Sequence, residues 1–288
     1  MGERHRPTSR VSHFLIGIAY ILLSMPSGNS AIAQTRSMIS DLDMCNGNLG
    51  ASPEIKIIGC TAFIKSGVDS AQLVAIAHNN RGNAYAARQQ YTLAIRNYED
   101  AIKLYPNYAK PFNNRGVAYE KMDEYDRAIA DFDAAIKLDP TYADALINRG
   151  ETYLKKADYS RALKDFDDAA LIEPAAGAVW NERCWARAII GELQKALDDC
   201  NKSLELAPNV ATTLDSRGLT HLKLGNWNAA IADYDAALRQ QRALPTALYG
   251  RGLAKLKRGD LAGGKADMAA ARAVNEDIAK EFDHYGLH

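Results

Sequence analysis

The chain has 288 residues, 47% of them hydrophobic, and its 35 basic and 35 acidic side chains cancel. That composition supplies ample apolar material for a core and lacks the clustered Lys and Arg surplus that phosphate backbones require, so nucleic acid is excluded as a main ligand. No Gly/Ser linker, proline tract or block of like charge interrupts the chain.

Arg4, Arg6 and Arg10 form a basic start, followed by an apolar run from Phe14 to Met25 that Pro26 and Gly28 break. Ala31-Ile32-Ala33 then supplies a small-x-small site. This order predicts a secretory signal peptide over 1–33, cleaved after Ala33. The apolar run is too short for a membrane span, which needs roughly 20 residues.

Ser52-Pro53-Glu54 marks a helix start, with a hydroxyl N-cap and proline in the first turn, and Gly67 marks its end. From Ala75 onward the chain repeats with a period of 34 residues. Counting from Ala75, Ala109, Ala143, Gly177, Ala211 and Pro245, place 8 is Gly82, Gly116, Gly150, Cys184, Gly218 and Gly252. Place 20 is Ala94, Ala128, Ala162, Ala196, Ala230 and Gly264, and place 27 is alanine except for Ser203. Aromatics dominate place 24 (Tyr98, Phe132, Phe166, Tyr234), and Pro106, Pro140, Pro174 and Pro208 close the first four repeats. Spacings of three, four and seven put these positions on one face of each of two helices. Small residues let the helix backbones approach, large ones fill the space between, and proline ends the second helix. Asn275-Glu276-Asp277 starts a last helix that ends near Gly286.

The pattern resembles the tetratricopeptide repeat (TPR), and the likeness covers six repeats at 75–108, 109–142, 143–176, 177–210, 211–244 and 245–278. The resemblance implies an all-α, right-handed superhelix (α-solenoid) of helix-turn-helix repeats, whose first helices line a concave groove for a protein or peptide segment. Residues 34–74 are read as an N-terminal cap with a degenerate half-repeat, because Cys60 and Ile64 precede Ala94 and Tyr98 by one period. Residues 279–288 are read as a capping tail over an otherwise bare apolar edge.

In that pattern places 2, 5, 6, 9, 12 and 13 face the groove. The early repeats put Asn79, Asn80, Asn83, Asn113, Asn114 and Asn148 there, and later ones add Trp185 and Tyr249. Amides both donate and accept, so they suit an extended peptide backbone; as groove groups they contribute little to the core, and alanine at 79, 113 and 148 is expected to leave the fold intact. Of the basic places used by carboxylate-clamp TPRs, only Lys110 is filled. Lys121, Lys155, Lys223 and Lys257 at place 13 sit in the last turns of first helices and complement their dipoles.

Arginine recurs at place 7, and an acid recurs at place 23 in every repeat but the first, which has Asn97. A ladder of structural ion pairs is the expected use, against the alternative of a track for an acidic ligand. Cys45, Cys60, Cys184 and Cys200 make an even count with three possible connectivities. The TPR resemblance brings places 8 and 24 together, which pairs Cys184 with Cys200 and leaves Cys45 for Cys60. No nucleophile, phosphate-loop or metal-ligand motif is present, so no catalytic residue, cofactor or metal is expected.

These readings combine into a non-catalytic, exported scaffold, periplasmic or secreted, similar to the exported TPR proteins of Gram-negative bacteria. Its expected partner is a protein or peptide segment, with cell-wall glycan or self-association into a homo-oligomer as alternatives. Mass spectrometry of the protein from its native envelope should find a chain that starts at Gln34. A chain starting at Met1 in membrane pellets contradicts the cleaved leader.

Overall fold

The computed structural model describes residues 29–287. The basic and apolar parts of the expected leader lie in 1–28, outside the described residues, and Ala31–Ala33 fall within the first helix. The fold is all-α, with no strand among the described residues. The chain divides into two units, Met1–Asp139 and Pro140–His288.

The first unit contains α1 (Asn29–Asn46), a short 3-10 turn (Asn48–Gly50), α2 (Pro53–Lys65), α3 (Ala71–Ala87), α4 (Tyr91–Leu104), α5 (Ala109–Glu120) and α6 (Tyr125–Leu138). Ser52 caps α2 by accepting from the backbone N–H of Ile55, with Pro53 behind it, and Gly67 turns the chain with φ +76°. The half-repeat expected here is a complete helix pair, because α1 packs back on α2. Gly59 has no room for a side chain, since a Cβ there would stand 2.5 Å from Cβ of Met44. Beside it the Cys45–Cys60 disulfide fastens the pair across a separation of 15 residues. Closing such a loop restricts the unfolded chain and stabilises the fold by about 3 kcal/mol.

The second unit contains α7 (Ala143–Lys155), α8 (Tyr159–Ile172), α9 (Gly177–Ile190), α10 (Leu193–Leu206), α11 (Ala211–Lys223), α12 (Trp227–Gln240), α13 (Pro245–Lys257), α14 (Leu261–Val274) and α15 (Ile278–His284). In four of the six repeats the first helix has glycine at place 8 against the place-24 ring of its partner helix. A Cβ would stand 2.5 Å from the Tyr98 ring at Gly82, 2.7 Å from Phe132 at Gly116 and 2.6 Å from Phe166 at Gly150. The fourth repeat fills the same slot with the Cys184–Cys200 disulfide, Cα–Cα 5.3 Å. Alanines at places 20 and 27 are fully buried in every repeat that has them.

The turn between paired helices is uniform. Place 15 adopts the left-handed conformation in all six repeats: Gln89, Asp123 and Ala157 in the first three (φ 57–59°), Gly191, Gly225 and Gly259 in the rest. The N–H one residue later returns to the carbonyl of place 11, as Asp158 does to Tyr153 at 2.8 Å and Asn226 to His221 at 2.9 Å. These are Schellman closures, which satisfy carbonyls left over at the helix end. Second helices end in a residue that has left the helical region, whether proline follows (Tyr105, Glu173, Ala207) or not (Gln241, Asn275). Proline reinforces that stop without being required for it.

Left-handed backbone costs a residue with a Cβ about 1–2 kcal/mol. Ala157→Gly should therefore raise the unfolding free energy by about 1 kcal/mol, and Gly225→Ala should lower it by a similar amount. Reversible urea denaturation measures both; equal midpoints for Ala157→Gly and the unsubstituted protein would contradict this account of the turn.

Candidate functional site

The place-7 arginines are clamps within the fold. Arg115 donates to both oxygens of Asp131 at 2.8 and 2.7 Å, and Arg183 to those of Asp199 at 2.9 and 2.6 Å. Arg149–Asp165, Arg217–Asp233 and Arg251–Asp267 repeat the bidentate geometry. The free end of the fork reaches the second helix of the preceding hairpin: Arg183 donates to Asp167 at 2.8 Å, Arg217 to Asn201 at 2.9 Å and Arg251 to Asp235 at 2.7 Å. One guanidinium thus joins three helices, a use its planar fork permits and a lysine's point charge does not. In the first repeat, Arg81 donates to Asn97 and Thr61 instead.

Place 11 supports the same clamp by two chemistries. Tyr119 and Tyr153 present their rings to Arg127 and Arg161, 3.9 and 4.4 Å from centroid to guanidinium carbon. Arg187 and Lys255 instead add a second cation on Asp199 and Asp267, at 2.6 and 2.8 Å. Tyr119 also lies 5.9 Å from the clamp guanidinium of Arg115, the side of the pair that Arg187 and Lys255 reach as cations in the later repeats.

The asparagines of the first unit bond to one another. Asn80 donates to Asn46 at 3.0 Å, Asn79 to Asn80 at 3.4 Å, Asn114 to Asn79 at 2.9 Å and Asn113 to Asn114 at 3.4 Å. Asn79 and Asn113 are 3% and 5% exposed. The expectation that alanine would spare the fold is therefore corrected for Asn79: its amide oxygen holds Asn114 of the next first helix, and removing it strands that half-buried donor. Asn83 is exposed and accepts from the Tyr98 hydroxyl at 2.8 Å. With Asn80, Asn46 and Lys56 it lines a small cleft of about 190 Å³. Asn148, in the second unit, is half-buried on α7.

The second unit covers part of its own apolar face. Phe282 of α15 packs on Tyr249 at 4.7 Å between ring centroids, and Tyr285 meets Trp185 edge-on at 5.7 Å. Tyr249 is 6% exposed, so it serves as core rather than as an open ligand contact. Lys223 donates to the carbonyl of Ile189 at 3.1 Å, complementing the carboxyl end of the neighbouring first helix α9 rather than that of its own.

Beside Trp185 a cleft of about 470 Å³ remains open, lined from α7, α9, α11 and the start of α13. Apart from Leu244, all its lining residues occupy places 2, 5, 6, 9, 12 or 13, the groove places of the repeat. Two of them, Glu182 and Asp215, are not among the residues that the amide pattern singles out. Glu182 stands at place 6, where earlier repeats have asparagine, and Asp215 at place 5. Burial pushes the Glu182 carboxyl up to about 7, with the Glu151 charge adding to the rise. Burial also pushes Asp215 up to about 7, although its carboxylate accepts from the Thr246 hydroxyl at 2.5 Å. The sequence signal was the change from amide to acid at groove places.

Among the described residues, no group of three or more His, Cys, Asp or Glu is placed to hold a metal ion. The cleft offers hydrogen bonding, charge and an aromatic surface, which is the chemistry of recognition.

Family models described as TPR repeat match residues 82–123 and 218–259, and models described as tetratricopeptide repeat match 109–142 and 132–164. The matches leave out 165–217, which holds the hairpin whose glycine and ring are both cysteine. No curated protein is significantly similar to the chain in sequence. Among solved structures, a tetratricopeptide repeat protein from Parabacteroides merdae ATCC 43184 is 16% identical, with 87% of this chain and 99% of that chain covered and a TM-score of 0.66. A chain of the APC/C hetero-tetramer Cut9–Hcn1 is 15% identical, with 95% and 59% covered and a TM-score of 0.65. Pseudomonas aeruginosa PilF is 17% identical, with 73% and 96% covered and a TM-score of 0.62. At these identities the likeness is one of fold. Helix pairs in a 34-residue register, the glycine–ring slot and the matching family models lead to one conclusion: the chain is a tetratricopeptide repeat protein.

Proposed function

We propose that the chain is a non-catalytic scaffold of the bacterial envelope that holds a protein or peptide segment against its first helices. The observation that carries this reading is the open cleft of the second unit, about 470 Å³ and built from four successive first helices. Its mixture of Leu154, Trp185 and Leu244 with Asn181, Thr212 and Ser216 suits an extended segment with both side chains and backbone to satisfy. Repeat solenoids work through such surfaces, and the fold class favours protein interaction. An envelope location is supported by the pairing of all four cysteines, since disulfides persist in oxidising compartments. No helix among the described residues is long and apolar enough to cross a membrane.

Thr212 is exposed on the cleft and carries no core load, so Thr212→Trp fills the cleft at little cost to stability. The variant should melt within about 2 °C of the unsubstituted protein. Capture from an envelope extract should enrich a protein that Thr212→Trp retains at least about tenfold less well. Two results would overturn the peptide reading: binding to isolated cell-wall glycan in place of protein, or a dimer in solution that the same substitution dissociates.

A further inference from the structure

We infer that the cleft beside Trp185 is a receptor for a basic side chain, Lys or Arg, projecting from the bound polypeptide. The inference rests on the reading of this face as a peptide groove and names the chemistry of its occupant.

The polar groups that the cleft presents are largely acceptors. Asn181, Glu182 and Asp215 line it together. Asn181 is only 8% exposed; its amide nitrogen donates to Glu182 at 3.1 Å, while its Oδ1 has no hydrogen-bond partner. Neither Glu182 nor Asp215 has an ion-pair partner among the described residues. Every buried carboxylate of this unit is satisfied: Asp165, Asp199, Asp233 and Asp267 each hold a bidentate arginine. A repeat that pairs its buried acids so regularly has left these two half-buried ones without a counter-ion at adjoining groove places. Behind them the Tyr234 hydroxyl, fully buried and also without a partner, borders a small cavity that shares Trp185, Asp215, Ser216 and Thr246 with the cleft.

A buried amide oxygen left orphaned costs stability, and so does a carboxylate desolvated without a partner. Such groups persist where a ligand satisfies them. An acceptor-rich site selects a multiple donor, and an ammonium carries three N–H groups and a guanidinium five, with no acceptor to clash. The remaining walls, Leu154, Trp185 and Leu244, match the methylene stem that both basic side chains carry behind the charge. Lys155 is the one cation on the lining; it is exposed and already engaged in an interaction of its own. An acidic or carboxy-terminal ligand would place its anion against Glu151, Glu182 and Asp215, so a basic one is favoured.

The test uses the full chain and terminally capped pentapeptide pools, random except for a central Lys, Arg, Gln or Glu. The readout is the shift of the Trp185 indole N–H resonance during titration. Lys and Arg pools should bind at least about tenfold more tightly than Gln and Glu pools, as expected for hydrogen bonds to charged groups. Asp215→Asn and Glu182→Gln keep the acceptors and remove the charges; each should abolish that preference and melt no lower than the unsubstituted protein. A purely structural role predicts lower melting with the preference unchanged, and that result overturns the proposal. Equal binding of all four pools overturns it while leaving the groove reading intact, and no shift of Trp185 with any pool overturns both. Putrescine binding as tightly as the Lys pool would assign the site to free amines and also overturn it.

Discussion

A flat side chain from the second helix lies against the bare backbone of a glycine on the first, and this contact sets the geometry of each ordinary hairpin. At Gly82, Gly116, Gly150 and Gly218 an added Cβ would stand within 2.8 Å of the ring. The ring therefore fixes how closely the helices approach, and alanines at places 20 and 27 keep the rest of the interface equally thin. Each of these four repeats gains a small, fully buried layer at this point, worth about 1.5–3 kcal/mol for the ring alone. The fourth repeat solves the same steric problem covalently: two cysteines replace glycine and ring, and the bond spans the space that the ring would fill.

The apolar slot closes a hairpin, and polar clamps hold one hairpin to the next. Arg183, Arg217 and Arg251 at place 7 each spend two donors on their own second helix and one on the hairpin before it. Such a clamp adds register, since a guanidinium fork tolerates little displacement from its carboxylate. In the first unit the asparagine ladder from Asn46 to Asn113 does related work between first helices. Asn181, Glu182 and Asp215 stand outside these clamps and gather at one cleft.

Much of this was legible from spacing. The glycine and aromatic places and the Arg–Asp register follow from a 34-residue period read as paired helices, while both cysteine pairs and the groove-facing places are what the TPR resemblance implies. What escaped was whatever the period does not encode. Asn79 and Asn114 are 35 residues apart, and sequence alone does not tell an amide turned to its neighbour from one turned to solvent. The fold-back of Phe282 onto Tyr249 depends on a terminal helix outside the repeat, so a residue at a groove place became core. Left-handed turns at Gln89, Asp123 and Ala157 lack the glycine that would have announced them. Glu182 and Asp215 differ from the amides at the same groove places by a change to acid, a signal present in the sequence but not marked by the period.

The central claim is that one ring on one glycine defines the hairpin and that the disulfide at Cys184–Cys200 stands in for it. Thermal unfolding of Cys184→Gly, Cys200→Tyr and the double variant, without reductant, tests this most directly. Tyrosine against an unaltered Cys184 has no room, and glycine opposite Cys200 leaves a void, so each single change should lower the melting temperature. The double change rebuilds the slot found at Gly218 and Tyr234, and should melt well above both single variants. A double variant no more stable than the worse single one would show that the slot is not what holds the hairpin.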